Sequence, residues 1–145
     1  MLRAAGRDER ERGSALMLMP AGLLVVLVLA SIAVDMTVVH LRQRQALDVA
    51  ASAANDAVTA GADQTGLRAG VYRVDPAAAR RVVQRAVAAS DLAPHLVGSP
   101  RVSVEGDTVS VSVTVRADYI FTAALPGAPD STTVTGTASA TAVAP

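Results

Sequence analysis

From Ala15 to Val34 the chain carries no charged residue and is dense in Leu, Val and Met. From Asp35 to Ala60 it turns polar, keeps a stripe of Ala, Leu and Val, and contains neither Gly nor Pro. The two stretches join without a breaker, and the first Gly beyond them is Gly61, where a helix is expected to stop. The pattern predicts a single helix of about 70 Å at 1.5 Å per residue. Its first half is apolar all round and its second half amphipathic. Everything else is a tail before this rod or a small unit after it.

The apolar half has the length needed to cross a hydrocarbon core, about 20 residues. Eleven Leu, Val and Ile residues lie between Leu16 and Val34, and at about −0.3 to −0.6 kcal/mol each they favour insertion by about 3–7 kcal/mol. Pro20 sits near the start, where neighbouring groups absorb its missing hydrogen bond. Asp35 falls at the far end, where a charge costs less than at the bilayer centre. Arg3, Arg7, Arg10 and Arg12 precede the segment, against Arg42 and Arg44 after it. This bias places the amino terminus in the cytoplasm and the rest of the chain outside, as a single-pass cell-membrane protein. A cleavable signal peptide with its site near Ser31-Ile32-Ala33 is the competing reading. The apolar region is longer than such a peptide uses, and the helical pattern runs through the site.

Composition limits what the rest can be. Thirteen basic and thirteen acidic residues cancel, so charge gives no reason to expect nucleic acid as a partner. With no Cys, disulfides and thiolate metal sites are excluded. The aromatic residues are Tyr72, Tyr119 and Phe121, a thin supply for a free-standing core. The outer unit is therefore expected to lean on its helix or on neighbouring subunits.

Beyond Asp35, Leu47, Ala50, Ala51, Ala54 and Val58 recur at helical spacing. A face so rich in Ala requires close approach by whatever packs on it. Two partners fit, the chain's own outer unit or other copies and assembly proteins.

These residues also carry a resemblance. Glu11-Arg12-Gly13-Ser14-Ala15, an apolar helix ending in Val34-Asp35, Arg42 and Arg44, then the run Leu47 to Ala62 resemble the TadE/TadG group of the tight-adherence (Flp) pilus systems of bacteria. The likeness covers roughly the first 63 residues, and its order and spacing are more distinctive than any one part. It implies a non-catalytic component of a surface pilus or its envelope assembly apparatus, acting through helix packing and protein–protein contact. Prepilin-type members of the group are cut after a Gly, with a Glu five residues on. Here Gly13 and Ser14 mark the matching junction and Leu18 stands where the Glu would be, which implies an uncut, TadG-like anchor. A minor pilin processed after Gly13 is the alternative. There is no Asp-x-Ser-x-Ser adhesion motif, and His40 stands near where the group often has an aromatic residue.

The remainder predicts α+β structure. Asp75-Pro76 reads as an N-cap followed by Pro at the first helical position. Ala79, Val82, Val83, Ala86 and Val87 then form one face up to about Ser90, and Pro94, Gly98 and Pro100 mark the exit. Strict alternation follows, with Val109, Val111, Val113, Val115, Ala117, Tyr119 and Phe121 on one side of a long strand. A two-residue Gly106-Asp107 turn of type II′ sets Val104 against Val109 and Val102 against Val111. Thr132 to Val143 reads as a third antiparallel strand, with Val134, Gly136, Ala138, Ala140 and Ala142 inward and Ser and Thr outward.

The expected organisation is a tail over 1–14, a transmembrane helix over 15–35, its extracytoplasmic continuation over 36–62, and a pilin-like outer unit of one helix and a three-stranded antiparallel sheet over 63–145. His40 and His95 lack partners at metal-ligand spacing, and no phosphate loop, His-Glu-x-x-His pattern or nucleophile elbow occurs. No cofactor and no enzymatic activity are expected. Asp35 stands out: it faces headgroups and water, or meets a partner's positive charge within a membrane assembly. The expected partners are the bilayer, other pilus or envelope assembly proteins, and further copies of the chain. An anchored envelope-binding module unrelated to pili is a further reading.

Overall fold

The computed structural model describes the backbone of residues 5–61 and 73–142 and the side chains of 18–61 and 73–142. Helix α1 runs from Ala5 to Ala60, so helix begins well before Ala15, in what reads from the sequence as a tail before the rod. The side-chain surroundings of the Gly13-Ser14 junction, and the segment 62–72 with Tyr72, lie outside the described residues.

The helix stops at Gly61, which meets the backbone just ahead of the second helix. Gly61 donates to the Ala57 carbonyl at 2.9 Å and accepts from the Asp75 N–H at 2.9 Å. A side chain at Gly61 would collide with the Ala57 carbonyl and with Val74. Asp75 then caps α2, Pro76–Ala88, accepting from the N–H groups of Ala77 at 3.0 Å and Ala78 at 3.3 Å. The α2 face buries Ala79, Val83 and Val87, with Val82 and Ala86 half-buried.

Three antiparallel strands follow in the order β1-β2-β3: Arg101–Glu105, Thr108–Asp118 and Ser131–Thr141. The β1–β2 register pairs Val104 with Val109 and Val102 with Val111, as the hairpin spacing requires. Gly106 has φ +63° and, among the described residues, no non-Gly residue has positive φ, so the turn has a positive-φ Gly at its first central position and a residue without positive φ at its second. Val109, Val111, Val113 and Val115 are fully buried on the inner face.

α1 covers that face. Ala46, Ala50, Ala53, Ala54, Ala57 and Val58 of the helix are buried in the same core as α2 and the sheet. The approach is close enough at Gly136 that an added Cβ would lie within 3.0 Å of the Ala46 and Leu47 backbone. Only a residue without a side chain lets the helix lie this low on β3. On the opposite face β2 and β3 pair hydroxyl with hydroxyl, including Ser110–Ser139 at 2.8 Å and Ser112–Thr137 at 2.8 Å.

The molecule is thus α+β: a long amino-terminal apolar helix, a second helix and a three-stranded antiparallel sheet. The apolar part of α1 stays outside the core. Its most apolar 18-residue window has a mean hydropathy of 2.5 and is only 6% buried, whereas a soluble protein's core helix of that character is mostly buried. It is the one helix among the described residues long and apolar enough to cross a membrane.

One strand ends early. The alternation through Tyr119 and Phe121 predicts a β2 reaching residue 121, but β2 stops at Asp118 and the chain turns into a short 3₁₀ turn, Thr122–Ala124. The backbone N–H groups of this segment are drawn out of the sheet by Asp35.

Candidate functional site

Asp35 is the one buried charged residue among those described, 3% exposed on an otherwise exposed stretch of helix. Its Oδ1 accepts from the N–H groups of Ile120 at 2.8 Å and Phe121 at 3.0 Å. Its Oδ2 accepts from the Thr122 N–H at 2.8 Å and the Thr122 hydroxyl at 2.5 Å. Three successive backbone donors and a hydroxyl close around one carboxylate, a charge-assisted arrangement that fixes loop to helix. The expectation that Asp35 faces headgroups and water is overturned by this geometry. Its acceptors are turned inward onto its own chain.

The loop that Asp35 holds is apolar and exposed. Residues 119–128 include no charged side chain, and Ile120, Phe121 and Leu125 are 58%, 46% and 61% exposed. Beyond the 3₁₀ turn, Ala128 donates to the Leu125 carbonyl at 3.1 Å, and Gly127 has φ +80°. Pro126-Gly127 therefore makes a type II turn that returns the chain to β3.

A polar strip lies alongside. Arg42 donates to Gln45 Oε1 at 3.1 Å and reaches His95 Nε2 at 3.3 Å. A guanidinium only donates, so Nε2 must accept and the imidazole proton sits on Nδ1. Nδ1 faces Asp118 Oδ2 at 4.0 Å. Arg116 then bridges Asp118 at 2.8 Å and Asp130 at 3.3 Å. These groups are largely exposed, so each pair contributes about 0–1 kcal/mol. Their effect is to line this end of the α+β unit with alternating charge.

The two histidines do not meet: His95 joins this strip, while His40 is exposed on α1. Among the described residues no three of His, Asp and Glu converge as they would around a metal ion. Of the helix face read from the sequence, Ala50, Ala54 and Val58 are buried, Ala51 is half-buried and Leu47 is 39% exposed. Ala46, Ala53 and Ala57 complete the buried stripe, and what packs on it is the chain's own sheet and α2.

The 120–122 loop escaped the sequence reading although a signal was present. Tyr119-Ile120-Phe121 places a large apolar residue on the phase that should be polar, which a strand with one wet face does not tolerate. Comparison of the chain with protein-family models, with curated proteins and with solved structures gives no match.

Proposed function

We propose that this protein is a non-catalytic, single-pass membrane protein whose α+β unit stands outside the cytoplasmic membrane on the upper half of α1. It acts by helix packing and protein–protein contact, as a TadE/TadG-like component of a bacterial Flp-type pilus or its envelope assembly apparatus. The observation that carries the anchor is the division of α1. Leu23, Leu24, Val26, Leu27 and Leu29 are each more than half exposed, while Ala46, Ala50, Ala53, Ala54 and Ala57 of the same helix are sealed in the core. An apolar surface of that size on a rigid rod needs lipid or protein around it.

The pilus reading rests on the sequence pattern of residues 11–62, and the fold gives parts of that pattern physical work. The Asp at the end of the apolar run holds the outer unit to the rod. The Ala-rich run supplies the low surface on which the sheet lies. Both roles suit a component whose outer unit is held in a fixed pose above the bilayer.

Two experiments test this. The chain has no Cys, so Gln84→Cys and Ala4→Cys give clean single-thiol reporters. A membrane-impermeant maleimide added to intact spheroplasts should label the first and spare the second; the reverse pattern, or recovery of the protein in the soluble fraction, overturns the topology. Deletion in a piliated host should abolish surface fibres, with return on complementation. Unchanged fibres and adherence in the deletion strain would remove the pilus assignment.

A further inference from the structure

We infer that the loop 119–125 is a second membrane contact, inserting Ile120, Phe121 and Leu125 into the outer bilayer interface beside the point where α1 emerges. The inference rests on the anchor reading above and assigns the loop its occupant, a lipid surface.

The first observation is position. Asp35 accepts hydrogen bonds from three consecutive loop N–H groups at 2.8–3.0 Å, so residues 120–122 lie level with residue 35 of the helix. The exposed apolar run from Leu18 ends at Val34, immediately before it. The uncharged run from Ala15 to Val34 rises about 30 Å at 1.5 Å per residue, matching a hydrocarbon core of about 30 Å. The edge of the core therefore falls at Asp35 or within a turn beyond it, where Met36 is 62% exposed.

The second observation is the uneven spread of apolar surface. Among the described residues outside α1, the large apolar side chains that are exposed are Val97, Ile120, Phe121 and Leu125. Three of the four are on this loop, and Val97 is tied to β2 at Thr114, toward the same end of the strand. The opposite end of the unit, around the Gly106-Asp107 turn and the start of α2, has none among the described residues.

The third is chemistry. The loop is uncharged and mixes aliphatic with aromatic side chains, while charges begin with Arg116, Asp118 and Asp130 on its flanks. An apolar tip below a charged rim is the profile of an interfacial contact. Two attachments would hold the outer unit in one orientation on the bilayer, where a helix alone would leave it free to rotate and tilt.

The test uses the full chain, which contains no Trp, reconstituted in phosphatidylcholine–phosphatidylglycerol vesicles without bromolipid, with lipids brominated near the top of the acyl chain for the loop positions, and with lipids brominated deep in the chain for position 27. Four single-Trp variants are compared: Leu27→Trp in the helix, Phe121→Trp and Leu125→Trp in the loop, and Glu105→Trp at the far end. Bromolipid should quench Leu27→Trp, Phe121→Trp and Leu125→Trp and leave Glu105→Trp unquenched. Quenching at position 27 with none at 121 and 125 overturns the inference and leaves the anchor standing. No quenching at position 27 overturns the anchor and the inference with it. Blue-shifted but unquenched emission at 121 and 125 shows the loop covered by protein, which also overturns the lipid assignment. Two loop positions are used so that misfolding of one variant leaves the other to decide.

Discussion

Asp35 shows how much one side chain can settle in a fold with little else that is polar inside. A carboxylate with two oxygens accepts from Ile120, Phe121 and both donors of Thr122, so the loop's backbone has no need of a fourth strand. Asp35→Ala should leave three N–H groups without partners. The amides of residues 120–122 should then pass from protected to rapid hydrogen exchange, and the outer unit should melt at a lower temperature. Asp35→Asn keeps one acceptor and should fall between the two, and Thr122→Val, which removes only the hydroxyl, should do least. Equal exchange in Asp35→Ala and the parent would show that the loop is held by something else. Gly136 is the second decisive residue. Gly136→Ala pushes a Cβ into the backbone of Ala46 and Leu47, which cannot yield as a side-chain end can. An overpacking cost of about 1–3 kcal/mol is expected, read as a lower midpoint in chemical denaturation. Ala138→Ser, at a half-buried position on the same strand, should change it less.

At the level of elements, local chemistry was readable wherever two independent rules agreed. Cap and periodicity together placed α2, and turn type and apolar phase together fixed the β1–β2 register. Asp75→Ala should destabilise the unit by about 1 kcal/mol through loss of the cap on Ala77 and Ala78, measurable as a small fall in melting temperature. A fall no larger than that of an exposed control such as Gln84→Ala would mean that the cap is replaced by water. Where one rule acted alone, tertiary structure overrode it. Alternation by itself carried β2 to Phe121, and a carboxylate 85 residues away in sequence ended it at Asp118. The buried stripe of α1 was legible as Ala-rich. Its phase was legible only in part, with Ala50, Ala54 and Val58 inward but Leu47 exposed, because Ala46, Ala50, Ala51, Ala53 and Ala54 spread small side chains over a wide arc of the helix. Gly136, by accepting the backbone at Ala46 and Leu47, decides which part of that arc turns inward.

For the whole molecule the consequence is that rod and outer unit share one core, even though the sequence divides them at residue 62. The inner face of the sheet includes Val109, Val111, Val113 and Val115 with Gly136 and Ala138 beside them, and the cover over β3 is α1. A fragment covering 71–145 keeps every strand and α2 but loses the helix from Ala46 to Val58 and exposes that face. It should show no cooperative thermal transition. A fragment covering 33–145 drops most of the apolar segment while keeping Asp35 and the Ala stripe, and should be soluble and fold with a single transition. The comparison is informative because the two fragments differ only in residues 33–70. Adding a peptide of residues 33–61 to the shorter fragment should restore ordered β signal if packing on α1 is what the sheet lacks. A shorter fragment that melts cooperatively by itself would mean that α2 and the strands suffice. The helix would then be a tether only, and the fixed pose that Asp35 and the apolar loop give the outer unit would have to be argued without it.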